Sequence, residues 1–338
     1  MTWPGEALLI KLWETITERG IGGLLTPWQI RREALAYTQA KQIEIVGLAD
    51  AEIQANEIRS GRLKLADSPY ALALPRAKGR ETKHSNEVLQ SRSVAEVATA
   101  AIIADTIRRE VNVAKAIVFA ESTLKDDPQT PPDRNVDPDW LYRWRDYAGA
   151  VSSEELQSLW GRLLAGELKS PGSFSYRTLD FIRNLSTDEA NKIALLSRFV
   201  ITTFIARDQT SILMKEGISM DDLLEMKNLG LLSGVEAVAL SVTLESDNPN
   251  HFQHFLRSHG RGLLVTHDDP KMKIRLGAFI VSTLGQQVLR LGKFEPHEEY
   301  LRAVGNYIKK NTTAAKVRIG NYRHEAENKS TFSPEATL

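Results

Sequence analysis

The chain has 338 residues, 42% hydrophobic and 25% charged, an ordinary globular composition with room for two or three domains. Its 43 basic and 43 acidic side chains cancel, so no global field recruits nucleic acid or a membrane, and such a partner needs a local patch. The absence of cysteine excludes disulfides, thiolate metal sites and a cysteine nucleophile, and suits a cytoplasmic location.

No apolar run approaches the ~20 residues that span a bilayer, and the acidic start does not read as a signal peptide. Residues 6–18 place Leu8, Leu9, Leu12, Trp13 and Ile16 at helical spacing. With Trp3, this amphipathic helix could lie on a membrane, but its balanced charges favour protein packing. After GIGGLL, Thr26-Pro27 opens a second helix running to about Arg62, with Gln29 at the capping-box position and Leu25 and Ile30 as a staple. Residues 66–84 read as a loop, and Arg76 to Arg92 as a basic stretch. From Asn86 to Leu124 an alanine-rich pattern without glycine or proline predicts a further long helix. Two such helices joined by one loop make an antiparallel hairpin, whose extended stripe suits packing on other helices, those of a second copy included.

After the linker 126–135, Asp137-Pro138 starts a helix carrying Trp140, Leu141, Trp144 and Tyr147. Ser152 reads as the next N-cap, with Glu155 as box partner and Val151 and Leu156 as staple. Leu156, Leu159, Trp160, Leu163 and Leu164 form one apolar face. Gly166, Pro171 and Gly172 end that helix, and Ser175 begins another, with Phe174 and Leu179 placed as a staple. The Trp160, Leu163 and Leu164 face is expected to dock the following helix, with Arg162, Glu167 and Arg177 pairing across the corner. An alternative has Ser173, Ser175 and Arg177 binding an anion at the helix start. Ser186 and Glu189 form a capping box that opens a helix to about Ile205.

In the last third, Ser219 and Asp222 cap a short helix, and strands are predicted over 238–244, 262–266 and 271–281. Helices follow at about 283–291 and 296–311, then a strand at 314–320. The expected fold is mainly α. A long N-terminal helical hairpin (1–125) and a central helical bundle (136–206) precede a small, winged-helix-like C-terminal α+β domain (207–323) and a disordered tail (324–338).

Two clusters could carry chemistry. His251, His254, His259 and His267 lie within 17 residues, beside Asp268 and Asp269. His251 and His254 on one helical face could hold a metal, the basis of a metal-dependent hydrolase reading, although the spacing matches no strong zinc signature. Arg302, Lys309, Lys310, Lys316, Arg318 and Arg323, interleaved with Tyr307 and Tyr322, offer a phosphate-binding surface for DNA or RNA. The same lysines equally complement a helix dipole. With no GxSxG, HExxH, Walker A or GxGxxG pattern present, no catalytic residue and no cofactor is assigned.

The stretch 136–190 contains LWGRLLAGE, then PGSFS, RTL, and Leu185-Ser186 before an acidic pair. It resembles an uncharacterised family of bacterial and prophage proteins, domain of unknown function 2806. TPWQIRREA (26–34) is similar to that family's early segment, and the likeness extends to about residue 290. A looser similarity links the same helix pair to the abortive-infection alpha domain, which implies a part in anti-phage defence. The leading expectation is a non-enzymatic, self-associating protein that acts through protein binding, a homo-oligomer through its long helices. Nucleic-acid binding by the C-terminal domain and metal-dependent hydrolysis are the alternatives.

Overall fold

A computed structural model describes residues 4–21, 37–60, 62, 94–237, 240–326 and 329–338. The chain divides into two compact units, Met1–Phe174 and Ser175–Leu338, so the stretch 136–206 read as one bundle is shared between them. No helix among the described residues is long and apolar enough to cross a membrane. The helix start at Pro27, the loop 66–84 and the whole basic stretch 76–92 lie outside the described residues, as does Trp3.

In the first unit, α1 (Glu6–Glu18) buries Leu8, Leu9, Leu12 and Ile16, the face its spacing specifies. Helix α2 (Tyr37–Ser60) packs along α3 (Val94–Leu124), where Lys115 meets Glu52 at 2.7 Å. Helix α4 (Pro138–Gly149) starts at proline, and its N-cap Asp137 accepts from the Asp139 and Trp140 N–H groups. Helix α5 (Glu154–Lys169) is capped by Ser153, one residue later than expected. The residue three beyond Ser153 is Leu156, so the cap has no reciprocal box partner.

The chief partner of α5 is α3, with smaller contacts to α1 and α4. The expectation that the following helix seals the Trp160 face is therefore corrected: the alanine-rich stripe of α3 does so. Ala114, Ala116 and Ala120 are fully buried. A Cβ built on Gly161 would stand 2.5 Å from Phe119 Cβ and 2.7 Å from the Ala116 carbonyl oxygen. Small residues on both helices thus bring the two backbones close, a contact no larger side chain permits. Trp160 is 1% exposed, its carbonyl accepts the Trp144 indole N–H at 2.9 Å, and Tyr147 meets its ring edge-on.

The second unit opens with α6 (Tyr176–Asn184) and α7 (Thr187–Ser197), capped by Ser175 and by the Ser186–Glu189 box. The helix expected to reach Ile205 stops at Ser197: Thr202 has φ 54°, and residues 204–206 are extended. There follow β1 (Phe204–Ala206), α8 (Thr210–Lys215), α9 (Met220–Asn228, with a Ser219–Asp222 capping box), β2 (Leu232–Ser233) and β3 (Ser241–Leu244). Then come β4 (Phe252–Ser258), β5 (Arg261–His267), β6 (Ile274–Val281), α10 (Thr283–Leu289), α11 (Glu298–Asn311), β7 (Lys316–Ala326) and β8 (Lys329–Thr337).

Among the described residues these strands form two antiparallel sheets. One has the order β1-β6-β2, with β3 also on β6; the other runs β4-β5-β7-β8. The segment read as a helix bearing His251 and His254 is mostly strand β4. Its alternation of buried Phe252, Leu256 and Ser258 with more open Gln253, Phe255 and Arg257 has the period of two that a strand requires. The tail expected to be disordered instead forms β8, because β7 offers it an edge to pair along, Tyr322 facing Phe332 and Ile319 facing Ala336. Helix α11 covers one face of this second sheet, and Leu256, Leu263, Val265, Val317 and Ile319 are buried there with Leu301, Val304 and Ile308.

Candidate nucleic-acid interface

The family-like motif resolves into packing. Trp160, Leu163, Leu164, Phe174 and Leu179 are buried, whereas Leu156, Leu159, Gly166 and Pro171 are half-buried. Gly172 is exposed at φ 88°, the left-handed turn glycine favours, and the Phe174 ring lies where a Gly166 side chain would stand. Glu167 completes the corner. One carboxylate oxygen accepts the Gly172 N–H, and the other accepts the Phe174 N–H at 3.0 Å and the Ser173 hydroxyl at 3.4 Å. Burial pushes its carboxyl up from the ordinary glutamate value, while the Gly172, Phe174 and Ser173 donors pull the other way.

The expected pairing of Glu167 with arginine is thus replaced by backbone donors, which the chain reversal leaves without helical partners. Ser173 is committed to this clasp. Ser175 serves as the α6 N-cap and bonds Gln287, so the serine pair is occupied by structure. A second buried polar link joins α3 to α5: Gln157 donates to Asn112 at 3.1 Å, and Asn112 donates to the Gly149 carbonyl at 2.9 Å. Sequence reading missed both, although a glutamine and a glutamate inside an otherwise apolar helix face were the available signal.

The histidines do not converge. His254 Nδ1 lies 2.8 Å from the Glu245 carbonyl, His251 Nε2 lies 3.2 Å from Gln253 Oε1, and His259 Nε2 lies 2.7 Å from the Ser197 carbonyl. Among the described residues no group of three or more metal-ligating side chains forms.

The basic candidates separate onto two elements. Arg302 pairs with Glu298 at 3.0 Å, Lys309 donates to the Leu338 carbonyl, and Lys310 is exposed near the end of α11. Lys316 and Arg318 instead stand on β7, on the sheet face away from α11. The Arg323 side chain lies outside the described residues.

That outer face is built by strand register. Gln253, Thr266 and Lys316 align across three strands; Phe255, Leu264, Arg318 and Thr337 form the next row; Arg257, Gly262, Gly320 and Pro334 form the third. Tyr322 and Phe332 pair beyond them. Strand β4, strand β5 and β7 as far as Tyr322 contain no aspartate or glutamate. Arg257 and Lys316 are exposed, and Phe255, Arg318, Tyr322 and Phe332 are half-buried.

Arg257 also lines a cleft of about 300 Å³ with Val200, Thr202, Ser258, His259, Gln286, Leu289 and Arg290. No carboxylate borders it, and no described carboxylate pairs with Arg257 or Arg290. Two of its walls hold non-glycine residues at positive φ, Thr202 at 54° and His259 at 43°, a strain of the kind that clusters at functional sites. Reciprocal bonds lock the first, Thr202 N–H to the Arg257 carbonyl at 2.7 Å and Arg257 N–H to Thr202 Oγ1 at 3.2 Å. A second, smaller cavity of about 170 Å³ in the first unit offers a contrast: its Arg109 and Arg145 are neutralised by Asp105 and Glu110. Only the β4 cleft leaves arginines available to a ligand among these two.

No curated protein and no solved structure matches the chain. The model of one protein family does, over residues 102–305, from within α3 through most of α11; the match takes in the braced corner and strands β4 and β5, and stops short of β7 and β8. On that match the chain belongs to the family described as protein of unknown function DUF2806.

Proposed function

We propose that the protein binds nucleic acid through its second unit, the outer face of the β4-β5-β7-β8 sheet meeting the sugar–phosphate backbone. The observation that carries this reading is the combination of Arg257, Lys316 and Arg318 on β4 and on β7 as far as Tyr322, stretches that hold no acidic residue. In a chain of zero formal net charge, such a local imbalance is what attracts a polyanion.

The order α7, β1, α8, α9, β2, β6, with sheet order β1-β6-β2, supports a winged-helix reading of the first part of the unit. In that arrangement α9 would be the groove-reading helix. It begins Met220-Asp221-Asp222 and carries Glu225, with Lys227 joined to Glu236, so its charge opposes a phosphate contact. The basic sheet is therefore the better contact surface.

Fluorescence anisotropy with a labelled oligonucleotide tests this. Binding should weaken steeply with salt, and replacing Arg257, Lys316 and Arg318 together by glutamine should lower the slope of log affinity against log salt by about 2 to 3. Absence of binding at low salt, or a slope indifferent to the triple change, would overturn it.

A second reading is self-association through the long helices, in the anti-phage setting the motif resemblance implies. It is favoured by Ile53 of α2 and Ile102 of α3, large apolar side chains 57% and 67% exposed. Light scattering at micromolar concentration should then show an oligomer that Ile53→Glu and Ile102→Glu dissociate; a strict monomer would remove this reading.

A further inference from the structure

We infer that the nucleic acid taken by this face is single-stranded, with unpaired bases stacking on the cluster of Phe255, Tyr322 and Phe332; the inference rests on the nucleic-acid reading above. The Phe255 ring centroid lies 5.1 Å from that of Tyr322 and 5.1 Å from that of Phe332. All three rings are half-buried on a sheet face that α11 does not cover. Gly262, in the row next to Phe255, has its side-chain space occupied by the Phe255 ring, so that ring lies down along the sheet.

The chemistry of this cluster separates paired from unpaired nucleic acid. A duplex presents phosphates outward and keeps its base faces stacked, so a broad sheet face meets only its backbone. An unpaired base exposes a π-face, and stacking on an aromatic platform beside a basic track is how single strands are held without sequence readout. The basic track is present. The Arg257 guanidinium sits 5.5 Å over the Tyr322 ring, and the same arginine borders the 300 Å³ cleft with Arg290. Base and phosphate recognition thus meet at one side chain, with Lys316 and Arg318 continuing the positive track along β7.

Anisotropy titrations of the full chain should compare a labelled 20-nucleotide single strand, the same sequence as a duplex, and an abasic strand of equal length. The single strand should bind at least about tenfold more tightly than either competitor. Tyr322→Leu and Phe332→Leu should each weaken single-strand binding about tenfold and leave the abasic strand unchanged. Photo-crosslinking of the unaltered protein to a strand containing iodouridine needs no variant to fold, and should place adducts on Phe255, Tyr322 or Phe332. Equal, salt-dependent binding of single strand, duplex and abasic strand, or adducts confined to other segments, would overturn the inference and leave the nucleic-acid reading standing. Binding to none of the three would remove that reading itself.

Discussion

The corner at 166–174 and the outer sheet face of the second unit use charge in opposite ways. At the corner a single carboxylate is drawn inside and surrounded by the Gly172, Ser173 and Phe174 donors, so nothing is left over for a ligand. On the outer face of the sheet, Arg257, Lys316 and Arg318 stand beside aromatic rings, and no described carboxylate pairs with them. A buried polar group that is fully bonded specifies structure, whereas an exposed cation without a partner is available for binding. The regular motif that attracts the eye is thus the brace, and the proposed interface falls on the less patterned strands.

Changes at the brace should cost stability and spare binding. All six tryptophans precede residue 175, so their fluorescence reports the first unit alone. Trp160→Ala should lower the denaturant stability read by that signal by about 4 kcal/mol, through the cavity and the lost transfer energy. Gly161→Val should cost about 3 kcal/mol, because the added carbons meet the α3 backbone as well as Phe119. Glu167→Ala should cost about 2 kcal/mol by orphaning the Gly172 and Phe174 N–H groups. Each variant, while folded, should bind an oligonucleotide as the unaltered protein does. Loss of binding at undiminished stability would break the division between brace and interface.

The smallest effect sharpens the contrast through pH. Backbone and hydroxyl bonds from Ser186 lower Glu189, the Ser219 hydroxyl and N–H lower Asp222, and the Arg261 guanidinium lowers Glu298. What these groups contribute is complete above the ordinary carboxylate range and is lost as pH falls through their lowered folded values. Glu167 has the reverse sign. Its value is raised in the folded state, so its contribution grows as pH falls through that value towards the unfolded one. Asp105, held at about 2 by Arg108 and Arg109, behaves like the second unit's groups, so the reversed component is isolated by comparison with Glu167→Gln. Acidification from neutrality should weaken the second unit, followed by circular dichroism, while the unaltered first unit gains on the Glu167→Gln form in tryptophan fluorescence.

Helix existence was legible wherever local chemistry decides it. Glu6–Glu18, the Asp137 cap, Ser175 and both capping boxes stand where spacing and side-chain oxygens place them. The partner of the Trp160 face was not legible, since an apolar stripe states that it will be covered and not by what. Gly161 and the α3 alanines held that information, but only as a matching pair of small surfaces. The strand at 252–258 was misread because HFQHFLRSH satisfies helical and alternating periods alike over so short a run. The tail was misread because its polar composition says nothing of the β7 edge that orders it. The candidate interface was half legible. Lys316 and Arg318 were named with residues of α11 that face elsewhere, and Arg257, Phe255 and Phe332 join them only through strand register.

Amide hydrogen exchange, with and without a saturating single-stranded oligonucleotide, tests the central division most directly. Protection is expected to rise across 252–267 and 316–322, with the segment 159–174 unchanged. Protection centred on 159–174, with the sheet strands unaffected, would contradict it.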